Sequence, residues 1–385
     1  MFRSCSLLLA AVLAACGSEA SPSSAETAAA LRTERAELGV LTRSLYIGAD
    51  ILRVVNAQGA VQVAMAVSET FAMVQATDFP ARARLIAEEI ARARPDVIGL
   101  QEVAVWRTGP GAACSGVPAL QAADVAYDFL ELLQDALRNR GQRFDVASEL
   151  TTRDFELCDA TLHDVRYTDR DVLLVRHGLP TRGAASGVFQ AAAVFPVVLD
   201  PDPQNPVIVE IKVRSGWNAV EVRKGHQWFR VVETHLEDLL PPPYPPYAVQ
   251  LPQAGELVAN VLGMAQARPL PTILVGDFNA AADPTFQQPT YGFLAGGQPF
   301  PDLGVPGLAP LVGMVSPFQD SWLALRSGKP GFTWGFAEDL RSGTFTERLD
   351  LTLGWGVKPL ATRRTGLRDL TCSGLHASDH AGVVT

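Results

Sequence analysis

Thr272-Ile273-Leu274-Val275-Gly276-Asp277-Phe278-Asn279 is the stretch on which the reading of this chain turns. Its first four residues form a short apolar run of β-forming type, as a buried strand requires. Gly276 ends the run and hands over to two polar side chains flanking a phenylalanine. In an extended segment residues i and i+2 project to the same side, so Asp277 and Asn279 share one face and Phe278 turns to the core. Taken alone, these residues also suit an Asx turn closing a strand.

Outward from this stretch the same construction recurs. Residues 96–103 read as a buried strand, Val97-Ile98-Gly99-Leu100, that ends in Gln101-Glu102. Residues 227–234 read as a strand delivering His235, residues 348–353 as one carrying Asp350, and Ser378-Asp379-His380 immediately precedes the apolar run 381–384. One carboxylate at a strand end is an ordinary solvated rim group. Several strand ends carrying metal-binding or proton-transfer side chains are a pattern. Hard divalent cations need only one or two carboxylates besides water and substrate oxygens, so Glu102 suffices as a first ligand. Asp277 can orient or deprotonate a water and Asn279 can donate to a phosphate oxygen. An aspartate buried beside a histidine holds one tautomer and stabilises the imidazolium, which suits contact with an increasingly anionic phosphorane.

Apolar strands alternate with helical patterns along the remaining chain, and no repeat of solenoid or propeller length is visible. Residues 38–46 read as a first strand and 82–92 as a helix. Residues 124–139 read as an amphipathic helix through Phe129, Leu130, Leu133 and Leu137, with Gly141 as a stop signal. Residues 171–176 read as a strand, 195–214 as a hairpin around the turn-forming segment 200–206, and 253–266 as a helix. The stretch 281–316 is rich in Gly, Pro and Gln without a period and predicts a long surface loop near the site. The prolines of 241–246 forbid a helix and hold Tyr244 out. Hairpins mixed with crossovers favour an α/β sandwich with mixed sheets over a purely parallel doubly wound sheet.

Of the 385 residues, 48% are hydrophobic and 19% charged, which excludes wholesale disorder, and no internal apolar run reaches the ~18 residues of a membrane-spanning helix. The start differs. Arg3 supplies a positive end, residues 7–13 an apolar stretch, and Leu13-Ala14-Ala15-Cys16 closes it, as in an export signal. Those four residues resemble the lipobox of bacterial lipoproteins, whose cysteine is acylated; a plain secretory signal with an incidental cysteine is the alternative. The expected organisation is a signal peptide over 1–16 with lipidation at Cys16, a flexible tether over 17–37 and one domain over 38–385, exported and lipid-anchored at the cell envelope, or secreted. Beyond Cys5 and Cys16, an odd number of cysteines remains: Cys114, Cys158 and Cys372. A Cys114–Cys158 disulfide is the first expectation, although spacing alone does not decide pairing. The net charge of −9 disfavours tight, sequence-independent binding to long nucleic acid without excluding it, because bound metal changes the local field.

Gln101-Glu102, Thr234-His235-Leu236, Gly276-Asp277-Phe278-Asn279, Arg348-Leu349-Asp350 and Ser378-Asp379-His380 stand in the chain order of the endonuclease/exonuclease/phosphatase superfamily, which the chain resembles over about residues 38–385. That superfamily includes pancreatic-type deoxyribonucleases, abasic-site endonucleases, inositol-polyphosphate phosphatases and bacterial sphingomyelinases. The resemblance implies a four-layer α/β sandwich with two packed mixed sheets flanked by helices, and a monomer. It implies Mg²⁺ or Mn²⁺ at Glu102, with Asp379 joining the metal region. By the same carry-over, Asp277 and Asn279 lie near the attacking water and phosphate, Asp350 pairs with His380, and His235 binds the phosphate or assists the leaving oxygen. Leu41-Thr42-Arg43-Ser44-Leu45-Tyr46 matches the superfamily's first motif, except that Ser44 replaces its usual asparagine. The shorter hydroxyl is expected to reach only through a water, which leaves three outcomes open: lower activity, weaker metal affinity, or compensation by Asp50 in Gly48-Ala49-Asp50. Asp169 and Asp171 lie where relatives place a mid-chain phosphate or metal contact, while Tyr167 receives no role. The implied activity is metal-dependent hydrolysis of a phosphodiester, in nucleic acid, a phospholipid headgroup as in a sphingomyelinase, or a small phosphate ester. The alternative of another class is a binding protein on the same fold with weakened catalysis.

Overall fold

In the computed structural model, which describes residues 36–112, 114, 120–200, 205, 207–239, 245 and 247–385, the apolar runs segregate into two large sheets. Along the chain the strands are β1 (Val40–Ser44), β2 (Val97–Gln101), β3 (Val105–Gly109), β4 (Asp124–Asp128), β5 (Phe144–Cys158), β6 (Asp164–Arg176), β7 (Thr181–Val188), β8 (Ala193–Asp200) and β9 (Val207–Val213). They continue with β10 (Gly216–Lys224), β11 (Gln227–His235), β12 (Thr272–Asp277), β13 (Gln319–Asp320), β14 (Trp334–Phe336), β15 (Gly343–Glu347), β16 (Asp350–Trp355), β17 (Arg363–Thr365) and β18 (Gly382–Val384). The first sheet runs β17-β18-β1-β2-β6-β3-β4, with β5 also on β6; the second runs β13-β16-β12-β11-β10-β7. β8–β9 and β14–β15 are separate hairpins. Each large sheet mixes one parallel pair, β1 with β2 and β11 with β12, with antiparallel neighbours.

The helices are α1 (Leu52–Asn56), α2 (Ala60–Ala76), α3 (Phe79–Ala93), α4 (Phe129–Arg138), α5 (Gln250–Ala267), α6 (Pro289–Ala295) and α7 (Ser321–Arg326). Helices α2, α3 and α4 press Val67, Ile86, Ile90 and Leu133 onto Leu41, Ile98 and Leu174 of the first sheet. Helices α5 and α6 press Leu257, Val261 and Phe293 onto Val232, Leu274 and Leu353 of the second. Between the sheets lie Val97, Val175, Val231 and Val275. Helix, sheet, sheet, helix is the four-layer sandwich, and each fully buried Leu, Ile or Val contributes about 1.5–3 kcal/mol to holding it. A Cβ on Gly99 would lie 2.7 Å from Glu233 Cγ, so a glycine is what lets the sheets approach there. A polar seam crosses the same gap: Gln101 Nε2 donates to Glu233 Oε1 at 2.9 Å and Asn218 Nδ2 to Glu233 Oε2 at 3.0 Å, while burial raises the Glu233 pKa well above the usual carboxylate range.

Several local expectations change. The single helix over 124–139 is instead strand β4 followed by α4: residues 124–128 pair with β3, and the Asp128 carboxylate caps the helix by accepting from the Leu130 and Glu131 N–H groups. The strand expected over 171–176 begins seven residues earlier, at Asp164, because it pairs along β5 for that whole length. Residues 281–316 are not one surface loop. They contain α6 and a 3₁₀ turn, Pro306–Leu311, and bury Tyr291, Phe293, Leu294 and Phe300 against the second sheet. Aromatic burial there overrides a sequence without periodicity. The 195–214 hairpin forms as β8–β9, and Cys114 and Cys158 form a disulfide with Cα atoms 4.9 Å apart, leaving Cys372 free and exposed. Tyr244, Cys16, the signal and nearly all of the tether lie outside the described residues. Among those residues no helix is long and apolar enough to cross a membrane.

Candidate functional site

Three strands break off at the same end of the sandwich in the same unusual way. Tyr46 after β1, Glu102 after β2 and Asn279 after β12 adopt φ of 60°, 58° and 47°, a left-handed conformation uncommon for residues with a Cβ. All three line one cleft of about 840 Å³. Strain of this kind costs of order 1–3 kcal/mol per residue and persists where the surroundings impose it. The approach is tight just before Asn279: a Cβ on Gly276 would fall 2.0 Å from the Thr234 carbonyl oxygen, so glycine is required between β11 and β12. Pairing of β12 with β11 and β16 then sets Asp277 between His235 and Asp350 in register.

Asp277 is buried, and both histidines converge on its Oδ2: His380 Nε2 at 3.6 Å and His235 Nε2 at 3.9 Å. Each imidazole has a buried aspartate behind it. His380 Nδ1 donates to Asp350 Oδ2 at 2.8 Å, whereas His235 Nδ1 lies 3.6 Å from Asp171 Oδ1, beyond a hydrogen bond. Burial works to lower the His235 pKa, but Asp171, Asp277 and Glu102 outweigh it and raise it to about 10. Burial likewise opposes the charge on His380, and Asp350, Asp379 and Asp277 carry its pKa well above the usual range. Burial, followed by Asp350, lifts Asp277 to about 6 against the pull of the two imidazoles. Asp277 Oδ1 accepts the Asn279 N–H at 2.9 Å, so the Asx turn forms and the shared placement in the cleft holds as well. One Asn279 amide hydrogen goes to the Leu236 carbonyl at 2.9 Å, leaving the other for a ligand.

Among the described residues no imidazole or guanidinium stands at ion-pair distance from the carboxylates on the other flank. Glu102 Oε2 accepts from Ser44 Oγ at 3.3 Å and from the Ile47 N–H at 3.2 Å. Ser44 therefore reaches Glu102 directly, and the expectation of a bridging water is corrected: β1 and β2 are parallel neighbours in register, with Ser44 opposite Gln101. Asp50 does not substitute for it. Asp50 is exposed at the cleft mouth and its carboxylate accepts from the Leu52 N–H. Burial, then the Asp379 and Asp169 charges, lifts Glu102 to about 7. Asp379 is half-buried in the cleft and takes one bond, from Ser378 Oγ at 3.2 Å.

Glu102 and Asp379, two carboxylates that line one cleft without a cationic partner among the described residues, are of the ligand type that a hard divalent cation takes. Asp277, Asp350 and His380 also bring ligating atoms within 4.8 Å of one another, but the His380–Asp350 bond would have to be given up.

Two buried arginines hold this end of the fold. Arg43 Nη1 donates to the His380 carbonyl at 2.5 Å, and Arg82 Nη1 donates to the Leu45 carbonyl at 2.6 Å and the Ala377 carbonyl at 3.1 Å. Sequence reasoning passed over Arg153, which lines the cleft 3.3 Å from Asp169 and 3.8 Å from Glu237. It also left Asp171 as an accessory group without linking it to His235; the alternation of Asp169 and Asp171 along β6 was the available signal. Asp169 is buried against Arg153, and Tyr167 packs on Trp106 with ring centroids 4.7 Å apart.

The family model described as "Endonuclease/Exonuclease/phosphatase family" matches residues 72–380. The chain belongs to the endonuclease/exonuclease/phosphatase family. Members of this family are nucleases, phosphodiesterases and phosphatases that generally use divalent metals. Among solved structures of the family's fold, truncated Caenorhabditis elegans TDP2 is 14% identical with a TM-score of 0.49, the alignment covering 90% of this chain and 95% of that one. A family protein from Leptotrichia buccalis is 14% identical at a TM-score of 0.48 (90% and 98% covered), and a Bacteroides thetaiotaomicron mannosyl-6-phosphatase 16% identical at 0.45 (90% and 98%). No curated protein matches this member of the family in sequence.

Proposed function

We propose that this family member is a divalent-metal-dependent phosphodiesterase that works outside the cytoplasm. The observation that carries the reading is the convergence of two aspartate-backed imidazoles on one buried carboxylate, Asp277, in the cleft that also holds Glu102 and Asp379, carboxylates without a cationic partner among the described residues. Glu102 and Asp379 would hold Mg²⁺ or Mn²⁺, which would supply Lewis-acid polarisation of a phosphoryl oxygen. Asp277 orients the attacking water and takes its proton as the new O–P bond forms. His380, kept protonated by Asp350, donates to a non-bridging oxygen on which charge accumulates, and the free Asn279 amide hydrogen donates to a second. His235 gives its proton to the leaving oxygen as the P–O ester bond breaks, so an alcohol and a phosphomonoester depart.

Hydrolysis of bis-p-nitrophenyl phosphate with Mg²⁺ or Mn²⁺ tests this directly. Wild type is expected to turn the ester over, and Asp277→Ala and His380→Ala to lose about a thousandfold or more in kcat. Equal rates for the three proteins under every divalent ion would sink the reading. Export and anchoring through Cys16 are part of the proposal and rest on residues 1–16; globomycin should block maturation, and unchanged processing would remove the anchor.

A further inference from the structure

The cleft has a flank that carries none of the groups just described. Helix α1 and the β8–β9 hairpin bring Ile51, Leu52, Val55, Phe195, Ile211 and Val213 to the same cavity that holds Glu102, Asp277 and His380. The flank is built as a unit: the Gly59 N–H after α1 donates to the Val198 carbonyl at 2.8 Å, and Gln58 bridges to Val198. Leu52 is 45% exposed in it. Trp334 and Phe336 line the same cavity.

The charge around this surface narrows what can lie on it. Beyond the carboxylates assigned to the reacting phosphate, the lining adds Asp50, Glu237, Asp238, Glu347 and Glu338, the last ion-paired with Arg53. Among the lining residues Arg153 is the only Lys or Arg, and Asp169 and Glu237 already face it at 3.3 and 3.8 Å. A nucleic-acid strand carries further phosphates on both sides of the one being cleaved, and proteins meet them with Lys and Arg. Here they would meet carboxylates. An apolar substituent meets a matching wall instead, within a volume at the upper end of that for small-molecule sites.

We propose that the cleft takes a phosphodiester with one apolar ester arm, alkyl or aryl, which lies against α1 and the β8–β9 hairpin, and that it discriminates against nucleic-acid strands. This rests on the phosphodiesterase reading and deepens it to a substrate class. The test uses the full chain with Mn²⁺ and a series of p-nitrophenyl phosphodiesters whose second arm is methyl, butyl, octyl or 5′-thymidine, together with a single-stranded oligonucleotide. Burying each methylene is worth roughly fourfold, so even partial burial should raise kcat/KM by about tenfold or more from methyl to octyl. The thymidine ester should do no better than the methyl ester. In Leu52→Ser, at an exposed position, and in Phe195→Ala, the octyl-to-methyl ratio should fall by about threefold or more.

A flat or falling series, or a preference for thymidine or the oligonucleotide, would overturn the proposal while leaving phosphodiester hydrolysis intact. Loss of all turnover would instead strike the parent reading. Calorimetric binding of octyl phosphate against methyl phosphate then tests the arm separately, tighter octyl binding supporting it and equal affinity refuting it. Faster cleavage of a long-chain phosphodiester lipid in vesicles than of the free octyl ester assigns the arm to a membrane lipid, and the reverse to a free amphiphile.

Discussion

Two sides of one cleft carry opposite kinds of chemistry. On one side His235, Asp277 and Asp350 of the second sheet are joined by His380, from the segment ahead of β18, and by Asp171 of β6, so that aspartates face imidazoles. On the other, Glu102 from the end of β2 and Asp379 ahead of β18 take bonds from hydroxyls and a backbone N–H, and among the described residues no cationic side chain stands at ion-pair distance from them. The second side is left with a charge imbalance that a cation would correct, and the proposed division between proton handling and metal holding rests on that difference.

The comparison breaks most readily at Asp350. Asp350→Asn should lower kcat by about a hundredfold or more, since the His380 tautomer and charge both depend on it, while the metal concentration for half-maximal activity stays put. A shift in metal requirement of the same size would erase the distinction between the two sides. Glu102→Gln should do the reverse, raising the half-maximal metal concentration by about tenfold or more. It also carries a pH signature. The folded Glu102 pKa of about 7 lies above the ordinary 4.5, so its ionisation opposes folding increasingly as pH rises from 4.5, and fully above 7. Metal-free Glu102→Gln should therefore melt a few degrees higher than metal-free wild type at pH 8, with the gain vanishing near pH 4; a lower melting temperature at pH 8 contradicts the imbalance.

Asp171→Asn is expected to cost less than Asp350→Asn, about tenfold in kcat, because Asp171 stands 3.6 Å from its histidine rather than 2.8 Å. Below the unfolded histidine pKa the raised His235 pKa contributes its full stability, and this is lost as pH climbs through about 10. The variant should flatten that decline in melting temperature between pH 7 and 10. Ser44→Ala comes last: it removes one 3.3 Å bond to Glu102, so the metal requirement should rise by a few-fold and kcat at saturating metal should hold. A large kcat loss would mean that Ser44 acts beyond the Glu102 side of the cleft.

The sequence displayed this site unevenly. Strand ends such as Leu100-Gln101-Glu102 and Val275-Gly276-Asp277 were legible because an apolar run stopping at a polar residue is a local signal. Which aspartate backs which histidine is a matter of sheet order. Asp171 on β6 reaches His235 on β11 only because the sheets stack face to face, and no spacing along the chain encodes that. Arg153 was invisible for a similar reason: a β-bulge between Thr151 and Arg153 sets its pairing opposite Asp169. Where local patterns compete, the longer-range contact won. Residues 124–128 have helical periodicity, yet β3 claims them as a strand, and residues 281–316 lack periodicity, yet their aromatics find the second sheet.

The pairing of β1 with β18 sets a timetable for biosynthesis. The Val40 carbonyl accepts from the Thr385 N–H at 3.0 Å, and Arg43 and Arg82 reach forward to the carbonyls of His380 and Ala377. Strands that start and finish the domain thus close the cleft together, and Asp379 and His380 arrive after every other site residue has been synthesised. A nascent chain carrying Glu102, His235 and Asp277 therefore has no complete cleft until residues 378–384 emerge and β18 docks on β1.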